Sequence, residues 1–190
     1  MKIATYQDKE LVISILSRSF KDNKSVNHLL PQDDKLPSRI KALMDYSFEI
    51  CMASGQVLIC DNAKACALLK ISGKPSRALL QFWLDLKLLW SAIGFGSLPK
   101  ALKHENTLSR IRGKSKMSYL WFIGVQPEYQ HLGKGTQLLK EVLAYCKSMD
   151  APVYLETSAT INLPWYQKHG FAIYHTLEGE YQLFFLRHTF

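Results

Sequence analysis

Residues 125–136 read VQPEYQHLGKGT, and most of what the sequence says about the fold follows from this segment. An apolar run rich in aromatic and β-branched residues leads into it, and Pro127 ends that run as a strand. Gly133 and Gly135 then open a helical pattern. A glycine-containing turn at the start of a helix offers backbone N–H groups and the positive end of the helix dipole to an anion. The segment therefore predicts a strand–turn–helix unit that binds a negatively charged group, with Lys134 adding charge.

Two common glycine-rich motifs do not match this turn. A Walker loop reads G-x-x-x-x-G-K-[ST], and residues 133–136, GKGT, lack its upstream glycine. A dinucleotide fingerprint reads G-x-G-x-x-G, and Leu138 stands where its third glycine would be. Taken alone, the turn leaves two interpretations open, a plain connection and a phosphate-binding loop.

The flanking sequence predicts a mixed α/β fold. After the turn, apolar residues recur at helical spacing, and an apolar strand follows at 153–157. Such a strand–helix–strand unit closes as a right-handed parallel crossover. The other predicted elements are strands at 2–6, 57–60, 65–71, 117–125, 171–174 and 181–187, a hairpin turn with Asn62 left-handed, and helices at 8–20, 38–53, 77–112 (broken near 94–99) and 163–169.

Two signatures together resemble those of the GNAT-type N-acetyltransferases. Residues 130–135, QHLGKG, are similar to the family's Q/R-x-x-G-x-G/A turn. Residues 162–171, NLPWYQKHGF, look like its second signature, N-x-x-x-Y-x-x-x-G-F, and follow at the family's separation. Before residue 116, the chain agrees with the family only in the order of its elements.

The resemblance implies a fold and a domain organisation. We expect a single domain over residues 1–190, with a long helical insertion at about 77–116. Its centre would be a mostly antiparallel, twisted sheet of about six to seven strands. Helices would flank this sheet, and strands four and five would splay apart.

The resemblance also implies acetyl-coenzyme A as the cofactor. The pyrophosphate would lie on the turn after strand four, and the pantetheine arm would pair with that strand like an additional strand. The amide of Val125 would point at the thioester carbonyl and stabilise the oxyanion. The implied cofactor-binding residues are Ile123, Gly124, Val125, Gln130, His131, Leu132, Gly133, Lys134, Gly135, Thr136, Asn162 and Tyr166.

The catalytic assignments differ in how well they match the family. Tyr166 matches its usual general acid, which protonates the departing thiolate; the alternative is an aromatic residue that packs beside Trp165. The general base is open, because strand four at 118–123 has no carboxylate where many relatives carry Glu. Glu156 on the fifth strand is the candidate, and its alternative role is that of a structural carboxylate.

The predicted reaction is transfer of the acetyl group to a primary amine by direct attack in a ternary complex. The alternative function is a catalytically weak acyl-coenzyme A sensor or regulatory module. The acceptor is not disclosed by the sequence. Aromatic and aliphatic residues of the helical insertion either line the acceptor pocket, favouring a hydrophobic or aromatic amine, or form a core helix. These residues are Phe82, Trp83, Leu86 and Trp90.

Composition narrows the remaining function classes. The net charge of +8 fits nucleic acid, an acidic membrane surface or an anionic cofactor, but no concentrated basic arm supports a nucleic-acid partner. Asp85 and Lys87 interrupt the most apolar window, so we expect no membrane span. The cysteines form no C-x-x-C pair, and we expect no metal site. Cysteine usage and the lack of an apolar leader before Asp8 predict a cytoplasmic protein. The sequence leaves open whether it is a monomer or a homodimer.

Overall fold

The computed structural model describes residues 1–60, 62–73, 78–94, 96, 98–113 and 116–190. Its helices and strands are interspersed along the chain, as the sequence predicts. In chain order they are β1 (Lys2–Ile3), α1 (Lys9–Ser19), α2 (Lys24–Leu29), α3 (Leu36–Ser54), β2 (Gly55–Ile59), β3 (Ala65–Ile71), α4 (Ala78–Leu88) with a π-helical turn (Leu89–Ile93), α5 (Leu98–Arg112), β4 (Ser118–Val125), α6 (Lys134–Ser148), β5 (Val153–Thr157), α7 (Leu163–Lys168), β6 (Ala172–Leu177) and β7 (Leu183–His188).

The strands of the described residues form one sheet in the order β1-β2-β3-β4-β5-β7-β6. Every neighbouring pair is antiparallel except β4 and β5, which run parallel. Helix α6 connects these two strands, and the predicted parallel crossover is confirmed. The seven strands with helices around them confirm the expected mixed, mostly antiparallel α/β fold.

The two parallel strands separate soon after they meet. β4 pairs with β5 only through Ser118 and Tyr119, although β4 continues to Val125. A bulge starts the separation, since Leu69 pairs with Leu120 while Leu68 pairs with Phe122, and Trp121 is the extra residue. A bulge increases the local twist and bends its strand. The expected splay between strands four and five is confirmed.

Helices cover both faces of the sheet. On one face, α1 and α3 bury Leu16, Met44 and Phe48 against the strands. On the other, α6 buries Leu138, Leu139, Val142 and Cys146, which are the positions that its helical spacing predicts. The splay therefore opens between two well-packed layers.

Two local predictions need correction. The hairpin between β2 and β3 is present, but the left-handed residue is Ala63, with φ 55°, and not Asn62. Asn62 acts through its side chain instead, since its Oδ1 accepts a hydrogen bond from Lys64 N at 3.3 Å. Helix α3 begins at Leu36 rather than at the predicted residue 38, because Pro37 fits the first turn of a helix.

The helical segment before β4 is present but interrupted. Helix α4 and its π-helical turn end at Ile93, and α5 starts at Leu98. The predicted start at Arg77 lies outside the described residues. No helix in the described ranges is both long and apolar enough to cross a membrane.

Candidate active site

The turn between β4 and α6 presents unused backbone donors. His131 and Gly133 have a left-handed backbone, with φ of 61° and 75°, and Gly133 is the N-cap residue of α6. The bond from Gln137 N to Gly133 O, at 3.0 Å, begins the helical pattern. The amides at 134–136 precede that bond and therefore have no acceptor within the helix. His131 and Leu132 are exposed, and Lys134 is half-buried, so the turn can receive an anion from solvent.

Close packing holds the start of α6 against the end of β4. A Cβ on Gly135 would lie 3.4 Å from Val125 Cγ2 and 3.7 Å from Trp165 Cζ2. Next to it, Trp165 Nε1 donates a hydrogen bond to Thr136 Oγ1 at 2.9 Å. This bond ties the turn to α7, which carries Tyr166.

The backbone of Val125 faces the gap between β4 and β5. Its carbonyl accepts hydrogen bonds from Ser19 Oγ at 2.7 Å and from Gln130 Nε2 at 3.2 Å, and not from β3. Because the N–H and C=O of a paired strand residue point to the same side, the Val125 N–H also points away from β3. Ile123, two residues earlier, shares this orientation. Both amides are therefore directed at the splay.

Gly124, between these two residues, points to α1. A Cβ at this position would lie 2.9 Å from Leu16 Cδ2 and 3.0 Å from Ser19 Oγ. A side chain at this position would have to displace the side chains of Leu16 and Ser19 on α1. The glycine is thus needed for packing, whatever its backbone contributes to binding.

A cavity of about 610 Å³ lies over the splay on the α3–α5 side of the sheet. Its apolar wall includes Phe82, Leu86, Leu89, Leu102, Trp121 and Phe122. Its polar groups include Lys70, Asp85, His104, Glu105, Arg112 and Glu156. Ile123, Asn162 and Tyr166 also line it, so the cavity reaches the residues that the second signature predicts. A volume of this size suits a small organic molecule.

Tyr166 is buried and still reaches the cavity. Its ring is 6% exposed and contacts Trp165 and Phe171, with ring centroids 4.7 Å and 5.5 Å away. Burial raises the pKa of the Tyr166 phenol well above its usual value. Its hydroxyl therefore keeps its proton at neutral pH and can donate it.

Glu156 lies in the cavity wall within a hydrogen-bonded cluster. Arg112 Nε donates to Glu156 Oε1 at 2.5 Å, and Arg112 Nη2 donates to Oε2 at 2.9 Å. Tyr119 Oη also donates to Oε2, at 3.1 Å. Arg112 additionally pairs with Glu105 at 2.9 Å. Both carboxylate oxygens of Glu156 thus accept hydrogen bonds from these neighbouring side chains.

Comparison with known proteins agrees with this geometry. Residues 79–171 match the model of the acetyltransferase (GNAT) family. The chain contains a GNAT acetyltransferase domain.

Solved structures resemble the chain over nearly its whole length, and at these sequence identities the resemblance shows the fold alone. The histone acetyltransferase HPA2 and related acetyltransferase of Corynebacterium glutamicum has a TM-score of 0.72 and 18% identity, covering 100% of this chain and 95% of that one. The C-terminal condensation domain of Ebony, in complex with beta-alanyl-dopamine, has a TM-score of 0.64 and 11% identity, and the match covers 98% of this chain and 96% of that one. The PaiA N-acetyltransferase of Thermoplasma acidophilum, in complex with coenzyme A, has a TM-score of 0.57 and 14% identity, and the match covers 100% of both chains.

The aromatic residues of the GNAT domain's helical segment divide into two groups. Phe82 and Leu86 lie on the cavity wall, as one of the two sequence hypotheses requires. Trp83 and Trp90 are 60% and 78% exposed and lie outside that wall. Residues 82 and 86 are four apart in α4 and share a helix face, whereas Trp90 lies in the π-helical turn, where the α-helical spacing changes.

Sequence reasoning missed Lys70 and Arg112, two of the charged residues of the cavity. Lys70 and Arg112 come from β3 and α5, and no motif marks them. For Lys70 a weak signal exists, since the alternation of Cys66, Leu68 and Lys70 places all three on one face of β3. For Arg112 none exists, because its partner Glu156 is 44 residues away.

No group of three or more potential metal ligands occurs in the ranges that the structure describes. The cavity's charged residues are instead paired with one another or with aromatic rings.

Proposed function

We propose that the chain is an N-acetyltransferase that passes the acetyl group of acetyl-coenzyme A to a primary amine by direct attack in a ternary complex. One observation carries the proposal. The cavity of about 610 Å³ lies at the gap between β4 and β5 and is lined by Ile123, and the turn at 130–136 follows directly after β4 ends at Val125. A donor on the turn and an acceptor in the cavity would meet at the gap.

The residues of the turn fit acetyl-coenzyme A. The amides at 134–136 lack helical acceptors and suit a pyrophosphate, and Gly135 lets it approach the backbone. The amides of Ile123 and Val125 point to the gap, where the pantetheine arm would pair with β4 like an additional strand. When bound, the thioester would supply an activated acetyl group and a thiolate leaving group. Asn162, exposed at the cavity edge, is a further predicted contact.

Two groups would stabilise the charges that develop during transfer. The Val125 N–H donates a hydrogen bond to the carbonyl oxygen as that oxygen gains negative charge. Tyr166 gives its proton to the departing sulfur. Burial raises the pKa of the Tyr166 phenol, so the hydroxyl is protonated when the donor binds.

The acceptor amine must lose a proton, and Glu156 is the proposed base. It lies in the cavity wall, within reach of a bound acceptor. Both of its oxygens already accept hydrogen bonds from Arg112 or Tyr119, so proton acceptance requires that one of these bonds be released. The cluster would also attract a cationic amine before the proton is lost.

We further propose that residues 1–190 act as one domain, with α4 and α5 as an insertion that walls the acceptor cavity. A cytoplasmic location and a monomeric or homodimeric state remain part of the proposal. The proposed partners are acetyl-coenzyme A and an amine, not nucleic acid.

Two measurements test this function. Calorimetric titration should detect binding of acetyl-coenzyme A at moderate salt, and release of free thiol should then depend on an added amine. Absence of binding at millimolar cofactor would contradict the proposal. Binding without thiol release for any amine would instead favour the sensor or regulatory module.

A further inference from the structure

Lys70 is a lysine directed into the acceptor cavity. It stands on β3 with Cys66 and Leu68, on the face that α3 covers, and it lines the cavity. Its Nζ lies 3.4 Å from the centroid of the Trp121 ring, at the β4 bulge. The lysine therefore sits beside the point where β4 and β5 separate.

The acidic groups of the cavity are committed to other residues. Glu156 and Glu105 both pair with Arg112. Asp85 accepts a hydrogen bond from Tyr46 Oη at 2.7 Å. Among the residues that the structure describes, Lys70 forms no ion pair with a carboxylate, and the Trp121 ring is its cation partner.

An unpaired cation in such a surrounding is costly. Burial lowers the pKa of the Lys70 ammonium, and the charges of Glu105 and Glu156 only partly oppose this effect. A ring face stabilises a cation far less than a carboxylate at hydrogen-bond distance does. A ligand with a negative group would supply the missing partner.

We propose that the acceptor is an amine that also carries a carboxylate, and that Lys70 binds this carboxylate. The inference rests on the proposed acetyltransferase function and narrows its substrate class. The apolar wall formed by Phe82, Leu86, Leu89 and Trp121 accommodates a hydrophobic or aromatic body between the two polar groups. The acceptor class is therefore an amino acid-like molecule with an apolar body, rather than a neutral alkylamine or a polyamine.

The test compares matched acceptors in which a neutral amide replaces the carboxylate. One pair is L-phenylalanine and L-phenylalaninamide, in which the two groups are close together. The other is 4-(2-aminoethyl)benzoate and 4-(2-aminoethyl)benzamide, in which they lie at opposite ends of the ring. We expect the wild-type protein to show a kcat/KM at least about 10-fold higher for the carboxylate in at least one pair.

Variants at Lys70 then assign the preference to this residue. Lys70→Met keeps the length of the side chain and should raise KM for the preferred carboxylate about 10- to 100-fold. KM for its amide partner should change less than about 3-fold. Lys70→Arg keeps the charge and should retain part of the preference. Lys87→Met is the control, since Lys87 is an exposed lysine on α4 that pairs with Asp45.

Two outcomes would overturn the inference. One is equal kcat/KM for both members of each pair in the wild type. The other is an equal loss for carboxylate and amide in Lys70→Met, which would indicate a role in proton transfer or in packing. Should Lys70→Met fail to fold by circular dichroism, the wild-type preference and Lys70→Arg still decide the question.

The result also separates this inference from the function on which it rests. Thiol release with neutral amines alone would leave the acetyltransferase function standing and would contradict the carboxylate requirement. Failure to bind acetyl-coenzyme A, or to release thiol with any of the four acceptors, would contradict the proposed function itself.

Discussion

The turn at 130–136 and the cavity beneath α4 and α5 are built in opposite ways. The turn offers mainly backbone amides, positioned by two left-handed residues and the start of one helix. The cavity offers side chains from β3, β4, β5, α4 and α5, brought together by the fold. A binding site made of backbone depends on a short sequence motif, whereas one made of side chains depends on tertiary packing. For this reason the acetyl donor is easier to infer from the sequence than the acetyl acceptor is.

The largest expected effect lies on the turn. Gly135→Glu would add a bulky carboxylate beside Val125 and Trp165, next to the amides at 134–136 on which the donor's phosphates are proposed to lie. Steric block and charge repulsion should weaken acetyl-coenzyme A binding by at least about 100-fold, as measured by calorimetry. Gly179→Glu is the control, since a Cβ there would lie 3.8 Å from its nearest neighbour, Tyr181 O. Unchanged affinity in Gly135→Glu would place the donor elsewhere.

The next effect concerns the residue that joins the two regions. Tyr166→Phe removes a proton donor and keeps the ring contacts with Trp165 and Phe171. We expect kcat to fall by about 10²- to 10⁴-fold, with the Kd for acetyl-coenzyme A changed less than about 3-fold. Tyr145→Phe, which loses a bond to Gln56, serves as the control. Equal losses of turnover and affinity would identify Tyr166 as a packing residue.

A smaller effect distinguishes the inner face of α4 from its outer face. Phe82 and Trp83 are equally exposed, at 59% and 60%, but only Phe82 lines the cavity. Phe82→Ala should raise KM for the acceptor about 3- to 10-fold through lost apolar contact. Trp83→Ala should leave acceptor KM unchanged. If both variants, or neither, alter acceptor preference, the cavity is not the acceptor site.

The smallest expected effect is on stability. Replacing the unpaired ammonium of Lys70 by the apolar side chain of methionine removes a desolvation cost and retains contact with Trp121. Lys70→Met should therefore raise Tm by about 2–4 °C in a thermal melt without ligand. Lys87→Met, on the surface, should shift it by about 1 °C or less. A lower Tm in Lys70→Met would mean that the lysine supports the fold.

The same contrast explains how far the sequence predicts the molecule. Helix α6 follows from its apolar spacing, and the anion-binding turn follows from Gly133 and Gly135. The splay was expected from resemblance, while its structural origin, the bulge at Trp121, depends on a register that no local pattern encodes. The left-handed Ala63 was missed because the Asn62 side chain makes the turn without that conformation.

In the cavity, prediction reached the residues that belong to a motif and stopped there. Tyr166 and Asn162 were named, and both line the cavity. The sequence predicts Glu156 as the candidate base or a structural carboxylate, but its pairing with Arg112 depends on how α5 packs on β5. Lys70 was not named, because a lysine at the end of a strand is usually solvated. Only the fold shows that this one faces a cavity.

Initial-velocity kinetics with acetyl-coenzyme A and one accepted amine test most directly whether donor and acceptor meet across the β4–β5 gap. Both concentrations are varied, and the released thiol and the acetylated amine are quantified together. A ternary complex predicts intersecting double-reciprocal lines and equal amounts of the two products. Parallel lines, with thiol released before the amine is added, would contradict direct transfer across the gap.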